Sequence, residues 1–353
     1  MDMENAVRRN SGIDILKTIC ILFVIVLHTE LLSSIFGIHF EPLCRFATPM
    51  FFVITGYYYN NTVNLRKTTV QIKRVIFLIL VANAVIILLN VIYCFCSKTS
   101  VTEWVLSIFS KKKIFDFLVF NSSIITGHFM SYHLWYLYAL LYVLIIAGII
   151  RKLGMFKVLY FLTPVLLAGG LIVECFSKQI FGVDFTASHG YCYYRNFLTI
   201  GIPYFCIGNL IRLYGKKIKL KNGIFLILSA IFWVLSVFEN RIAATMLNIS
   251  SMDFFISTPL CVVCIFILFN NCFQNKNLNN LWVFVSAIGR NCVVWIYIFH
   301  LPILVLVQDR LPKTNSIFAD KALVTVITLA LSLIIAALTD KIQNVLKSGR
   351  MRK

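Results

Sequence analysis

Apolar residues run through this chain in blocks of about twenty, the length at which a helix spans the hydrocarbon of a bilayer. Ten such blocks stand out, at approximately 12–35, 42–60, 74–96, 133–151, 156–176, 196–214, 223–239, 253–270, 284–307 and 322–340. Residues 102–120 differ: apolar positions recur there at helical spacing around charges, which predicts an amphipathic element lying at the interface. The pattern predicts an all-α, polytopic membrane protein with about ten transmembrane helices, in a single transmembrane domain over 1–353.

Composition supports this. Hydrophobic residues make up 59% of the chain and charged ones only 13%, against roughly a quarter charged in soluble domains. No polar stretch is long enough to hold a soluble catalytic domain. A net charge of +19 would suggest nucleic acid in a soluble protein. Here the basic residues collect in loops and at the C-terminus, as the positive-inside rule requires, so the expected partner is the lipid bilayer and not nucleic acid.

Charge also sets orientation. With the N-terminus inside, the inner segments carry 20 of the 33 Lys and Arg residues and the outer ones 10. Lys17, Arg45 and Arg290 are left within spans. This predicts both termini in the cytoplasm. The Lys111–Lys113 cluster falls outside against the rule, which longer loops tolerate.

Most of the eleven cysteines are isolated in apolar runs, where they act as small hydrophobes. The pairs Cys94/Cys96 and Cys261/Cys264 lack partner pairs or nearby histidines, so no metal site is expected. A disulfide among Cys94, Cys96, Cys175 and Cys192 stays open. The first apolar run is too long and too charged for a cleaved signal peptide.

The ionisable residues inside apolar runs are the candidates for chemistry, because lipid makes them costly. Asp14 and Lys17 are i, i+3 neighbours able to pair. Lys17 and His28 lie eleven residues apart, three turns plus about 20°, hence on one helix face and roughly 16 Å apart along the axis. Lys17 could simply snorkel to the headgroups. His28 lies deeper, and imidazole is the side chain best suited to take a proton near neutral pH. Arg45 stands one turn before Pro49 in a span rich in Phe and Tyr, and Thr55-Gly56 leaves room for another backbone. Arg74 reads as an ordinary inner flank or a site for a cytoplasmic phosphate. His133 and Trp135 open the fourth span among aromatics whose faces suit a sugar. Arg195 precedes a Pro- and Gly-softened span, and Tyr297 and His300 share a face in the ninth.

Taken in order, these pieces resemble the acyltransferase-3 family of integral-membrane O-acyltransferases, which acylate cell-surface carbohydrates. The resemblance rests on Ile13-Asp14-Ile-Leu-Lys17 with His28 eleven residues on, and Arg45…Pro49-Met-Phe-Phe-Val-Ile-Thr-Gly56-Tyr. It continues through His133-Leu-Trp135 and Arg195…Pro203…Gly208 to Ile288-Gly289…Tyr297-Ile-Phe-His300. It implies an acetyl-CoA donor from the cytoplasm, no metal, and a surface polysaccharide or its lipid-linked precursor as acceptor, in a bacterial plasma or inner membrane. The family's Arg-x10-His motif falls on positions 17 and 28, with lysine standing for arginine, and its basic pair near the third span is represented by Arg74. The resemblance implies His28 as base or acyl relay. Asp14, Lys17 and Arg74 then fall on the donor side, and Arg45, His133, Trp135, Arg195, Tyr297 and His300 on the acceptor side. Many members carry a further soluble domain, so this chain is expected to act alone or with a separate extracytoplasmic partner. The alternatives are a transporter or flippase for a glycan or small polar solute, and a non-catalytic module of a cell-wall assembly complex.

Overall fold

The computed structural model describes residues 10–36, 40–59, 65–186, 190–249, 252–273 and 278–350. Both chain termini, and residue 60 at the end of the expected second span, lie outside them. Among the described residues there is no strand. The helices are α1 (Ser11–Thr29), α2 (Leu31–Phe36), α3 (Ala47–Tyr58), α4 (Leu65–Cys96), α5 (Val101–Ile108), α6 (Lys111–Phe120) and α7 (Trp135–Lys152). They continue with α8 (Phe156–Phe181), α9 (Ile202–Tyr214), α10 (Asn222–Met246), α11 (Ser257–Cys272), α12 (Asn280–Asn291), α13 (Val293–Arg310) and α14 (Ile317–Arg350). The protein is all-α, and among the described residues eight helices are long and apolar enough to cross a membrane. The expected second and eighth spans fall instead on α3 and α11, of 12 and 16 residues.

Two of the expected spans are interrupted. The run 12–35 breaks at Glu30, whose left-handed backbone (φ 55°) ends α1 and lets its N–H return to the Leu27 and Val26 carbonyls. The run 284–307 breaks at Cys292 into α12 and α13. The amphipathic stretch forms α5 and α6, each opened by a serine (Ser100, Ser110) that accepts from a backbone N–H three residues on.

Burial separates two classes of helix. α1, α3, α7, α9 and α13 supply most of the buried core, including Leu16, Ile21, Phe52, Leu144, Phe205 and Ile296. The candidate spans on α4, α8, α10 and α14 expose most of their apolar side chains, as lipid-facing helices do. α3 and α9 pack closely. Gly56 lies against the Phe205 backbone and Gly208 against the Val53 backbone, so neither position has room for a Cβ. α9 follows a π-turn over Phe197–Gly201, begun by Asn196, whose side chain accepts from Leu198 N at 2.9 Å and Thr199 N at 3.2 Å. Arg195 immediately precedes that turn and lines a cavity. All eleven cysteines are free thiols, so the pairing left open among Cys94, Cys96, Cys175 and Cys192 is not made.

Candidate acyl-transfer site

The end of α1, the start of α3, the start of α7 and the turn before α9 converge on a cavity of about 470 Å³. Its walls include His28, Arg45, Tyr132, His133, Trp135, Arg195, Asp253 and Tyr297. Six residues singled out in the sequence thus share one chamber: His28, Arg45, His133, Trp135, Arg195 and Tyr297.

Three imidazoles meet beside it. The His28 ring lies 5.3 Å from that of His300, and His300 lies 5.1 Å from His133, between ring centres. His133 and His300 are buried, whereas His28 is half-buried at the cavity wall. The buried pair have their hydrogens assigned by their surroundings. His300 Nδ1 sits 2.8 Å from the Tyr297 carbonyl and 3.2 Å from that of Ile296, so Nδ1 carries the proton and Nε2 the lone pair. His133 Nε2 lies 3.3 Å from the Ile298 carbonyl, which makes Nδ1 its acceptor atom. His300 Nε2 and His133 Nδ1 have no partner among the described residues. The Tyr297 hydroxyl donates to the His133 carbonyl and ties α13 to the start of α7.

The opposite wall is ionic. Asp253 accepts from both Arg45 and Arg195, the latter at 3.2 Å. The Arg195 guanidinium also lies over the rings of Tyr191 (4.5 Å) and Trp135 (5.5 Å). Burial alone would push the Asp253 carboxyl up, but the two guanidiniums outweigh it and hold it below the usual carboxylate range.

Asp253 owes its place to the helices around its loop. Asn240 Oδ1 accepts the Met252 N–H at 2.9 Å, and the Glu174 carboxylate takes those of Asp253 (2.7 Å) and Phe254 (2.9 Å). Glu239 accepts from Ile256 N at 2.6 Å and Ser257 N at 3.0 Å, capping the N-terminus of α11. Trp233 Nε1 donates to the Leu43 carbonyl at 2.7 Å, fixing the turn that leads to Arg45. Sequence reasoning missed Asp253, Glu174, Glu239 and Asn240. The sequence holds one clue: Arg45 and Arg195 stand at apolar span ends, where a guanidinium calls for an acid, in a chain with only 14 acidic residues.

The expected donor-side residues stand apart from this chamber. Lys17 Nζ pairs with Asp14 Oδ1 at 2.9 Å in the first half of α1, about three turns from His28. Gly289 of α12 packs against the Asp14 backbone, and Thr18 donates to the Val285 carbonyl at 2.7 Å, so this pair sits in the α1–α12 contact. Arg74 is exposed on α4, and among the described residues no hydrogen bond or ion pair joins it to Asp14 or Lys17. No group of three or more His, Cys, Asp or Glu side chains that could hold a metal ion occurs among the described residues.

No curated protein and no solved structure matches this sequence. The sequence pattern of the acyltransferase-3 family, described as an acyltransferase domain, matches residues 10–340. A match over nearly the whole chain, on a multi-pass helical scaffold, assigns this protein to the acyltransferase-3 family of membrane acyltransferases.

Proposed function

We propose that this acyltransferase moves an acetyl group from cytoplasmic acetyl-CoA to a hydroxyl of a surface polysaccharide or its lipid-linked precursor. The observation that carries the reading is His28. It is the half-buried imidazole of a three-histidine cluster, and it stands on a cavity wall that also presents two arginines and an aromatic face.

In this reading the acceptor sugar enters the chamber from the end of the bundle where α1 finishes. Trp135 and Tyr132 offer ring faces, and Arg45 and Arg195 orient its oxygens. The donor approaches along α1 from the Asp14–Lys17 side. Because Asp14 already engages the Lys17 ammonium, the pair acts as a local polar surface and not as a lone cation for the donor's phosphates. His28 takes the hydroxyl proton as the oxygen attacks the acyl carbon. The carbon–sulfur bond then breaks, and the departing thiolate takes the proton back from the imidazole. Stripping of water from the chamber strengthens the contacts to the developing oxyanion.

The test is a His28→Ala variant that inserts and folds normally, assayed for CoA release and for acetyl content of surface glycans by mass spectrometry. A fall of about 100-fold or more in transfer is expected. Unchanged glycan acetylation would rule out His28 as the base.

A further inference from the structure

The fixed charges of the cavity balance. The two guanidiniums, Arg45 and Arg195, face two carboxylates on the same walls, Asp253 and Glu41. Asp253 engages both arginines, and Glu41 accepts from Ser33. Glu30, at the rim, is offset by Lys321 at 2.9 Å. A carboxylate or phosphate entering here would meet arginines that already serve Asp253, with that carboxylate beside it. Like charges on neighbouring groups repel, and more strongly inside a protein than in bulk water.

The polar atoms left over are of another kind. Arg195 Nε–H is a donor without a partner among the described residues, and His133 Nδ1 is a bare acceptor. A hydroxyl group both gives and takes a hydrogen bond, so it can meet a wall of donors and acceptors without bringing a charge. The rings of Tyr132, Trp135 and Tyr297 also line the cavity.

We infer that the chamber selects an uncharged, hydroxyl-bearing ring at the reacting position, and that Asp253 is the residue that keeps anionic sugars out. This rests on the reading of the cavity as the acceptor site. Asp253 does so by occupying the arginines, and it is presented for that purpose by Glu174 and Asn240 through the loop backbone.

The test is a binding measurement on purified full-length protein in detergent, with glucuronate as the probe and chloride at equal ionic strength as the reference. The wild-type thermal midpoint is expected not to move with glucuronate. Asp253→Asn keeps the shape but frees the arginines, so its midpoint is expected to rise by about 2 °C or more in glucuronate. The added substitution Arg195→Gln is expected to abolish that rise. Should Asp253→Asn fail to fold, Asp253→Ser, which also removes the carboxylate from the two arginines, is expected to gain the same response. Stabilisation of the wild type by glucuronate would overturn the inference, as would folded variants that gain none. The readout needs no turnover, so a protein that fails to use acetyl-CoA would refute the acetyl-transfer reading while leaving this result to be judged alone.

Discussion

The Ile298 carbonyl accepts a hydrogen bond from His133 Nε2 at 3.3 Å, and it is free to do so because Pro302 stands four residues further along α13. In an unbroken helix that carbonyl would receive the N–H of residue 302, which proline lacks. A backbone defect in one helix therefore fixes the tautomer of a histidine on another, and leaves its Nδ1 as a bare acceptor at the cavity.

Replacing Pro302 by alanine restores a competing N–H. Helix α13 should gain a hydrogen bond and lose the steric cost of an interior proline, up to about 3 kcal/mol in an exposed helix and less in this packed one. Thermal unfolding should therefore be unchanged or raised. Acyl transfer should fall by about tenfold as His133 loses its acceptor. Equal turnover in Pro302→Ala and wild type would show that the His133 tautomer is not set this way.

His300 separates the two nitrogens of one ring. Its Nδ1–H donates to the Tyr297 carbonyl, while Nε2 is buried and unpartnered among the described residues, beside the His28 ring. An asparagine at 300 can keep the donor at the Nδ1 position, but its acceptor is an amide oxygen too weakly basic to take a proton. We expect His300→Asn to retain stability within about 1 kcal/mol and to slow transfer, with the loss in kcat and not in KM. A change confined to KM would place His300 in binding only.

Much of the scaffold was legible in the sequence, because lipid demands long apolar runs and punishes stray charges. The face shared by Lys17 and His28 needed only the helical repeat. The breaks at Glu30 and Cys292 were only weakly marked: His28-Thr29-Glu30 and Gly289-Arg290-Asn291 are short polar interruptions in otherwise apolar runs, and no proline stands at either. Asp253 was harder still. It reads as the first residue of a span, yet it lies in the loop before α11, where Glu174 and Glu239, 79 and 17 residues from the amides they bind, hold the backbone. Nor does any local pattern bring His28, His133 and His300 together. Their meeting is a product of packing among α1, α7 and α13.

The Glu174 carboxylate uses both oxygens to accept from two consecutive amides. Glutamine has one acceptor oxygen, and its NH₂ would face a backbone N–H. Glu174→Gln should therefore cost about 1–3 kcal/mol, the penalty for an unmet buried polar group. Loss of activity should accompany it because Asp253 moves. Glu174→Ala should be no better, and unfolding curves with transfer rates on both variants would check this.

Asp253 gives the pH dependence of the ionic wall. Burial raises its affinity for a proton, but Arg195 and Arg45 outweigh that and leave the folded value below the ordinary one of about 3.9. A depressed folded value means the carboxylate's contribution is complete above the unfolded value and is lost as pH falls through the folded one. Between about pH 5 and pH 8 the titration of Asp253 itself therefore adds no slope to the stability gap between wild type and Asp253→Asn, and through this group the gap narrows only below about pH 4. Any change in transfer rate between pH 5 and pH 8 then belongs to other groups of the site. Thermal midpoints of the two proteins across this range provide the check, and a gap that already closes at pH 6 would contradict the arrangement of Arg45, Asp253 and Arg195.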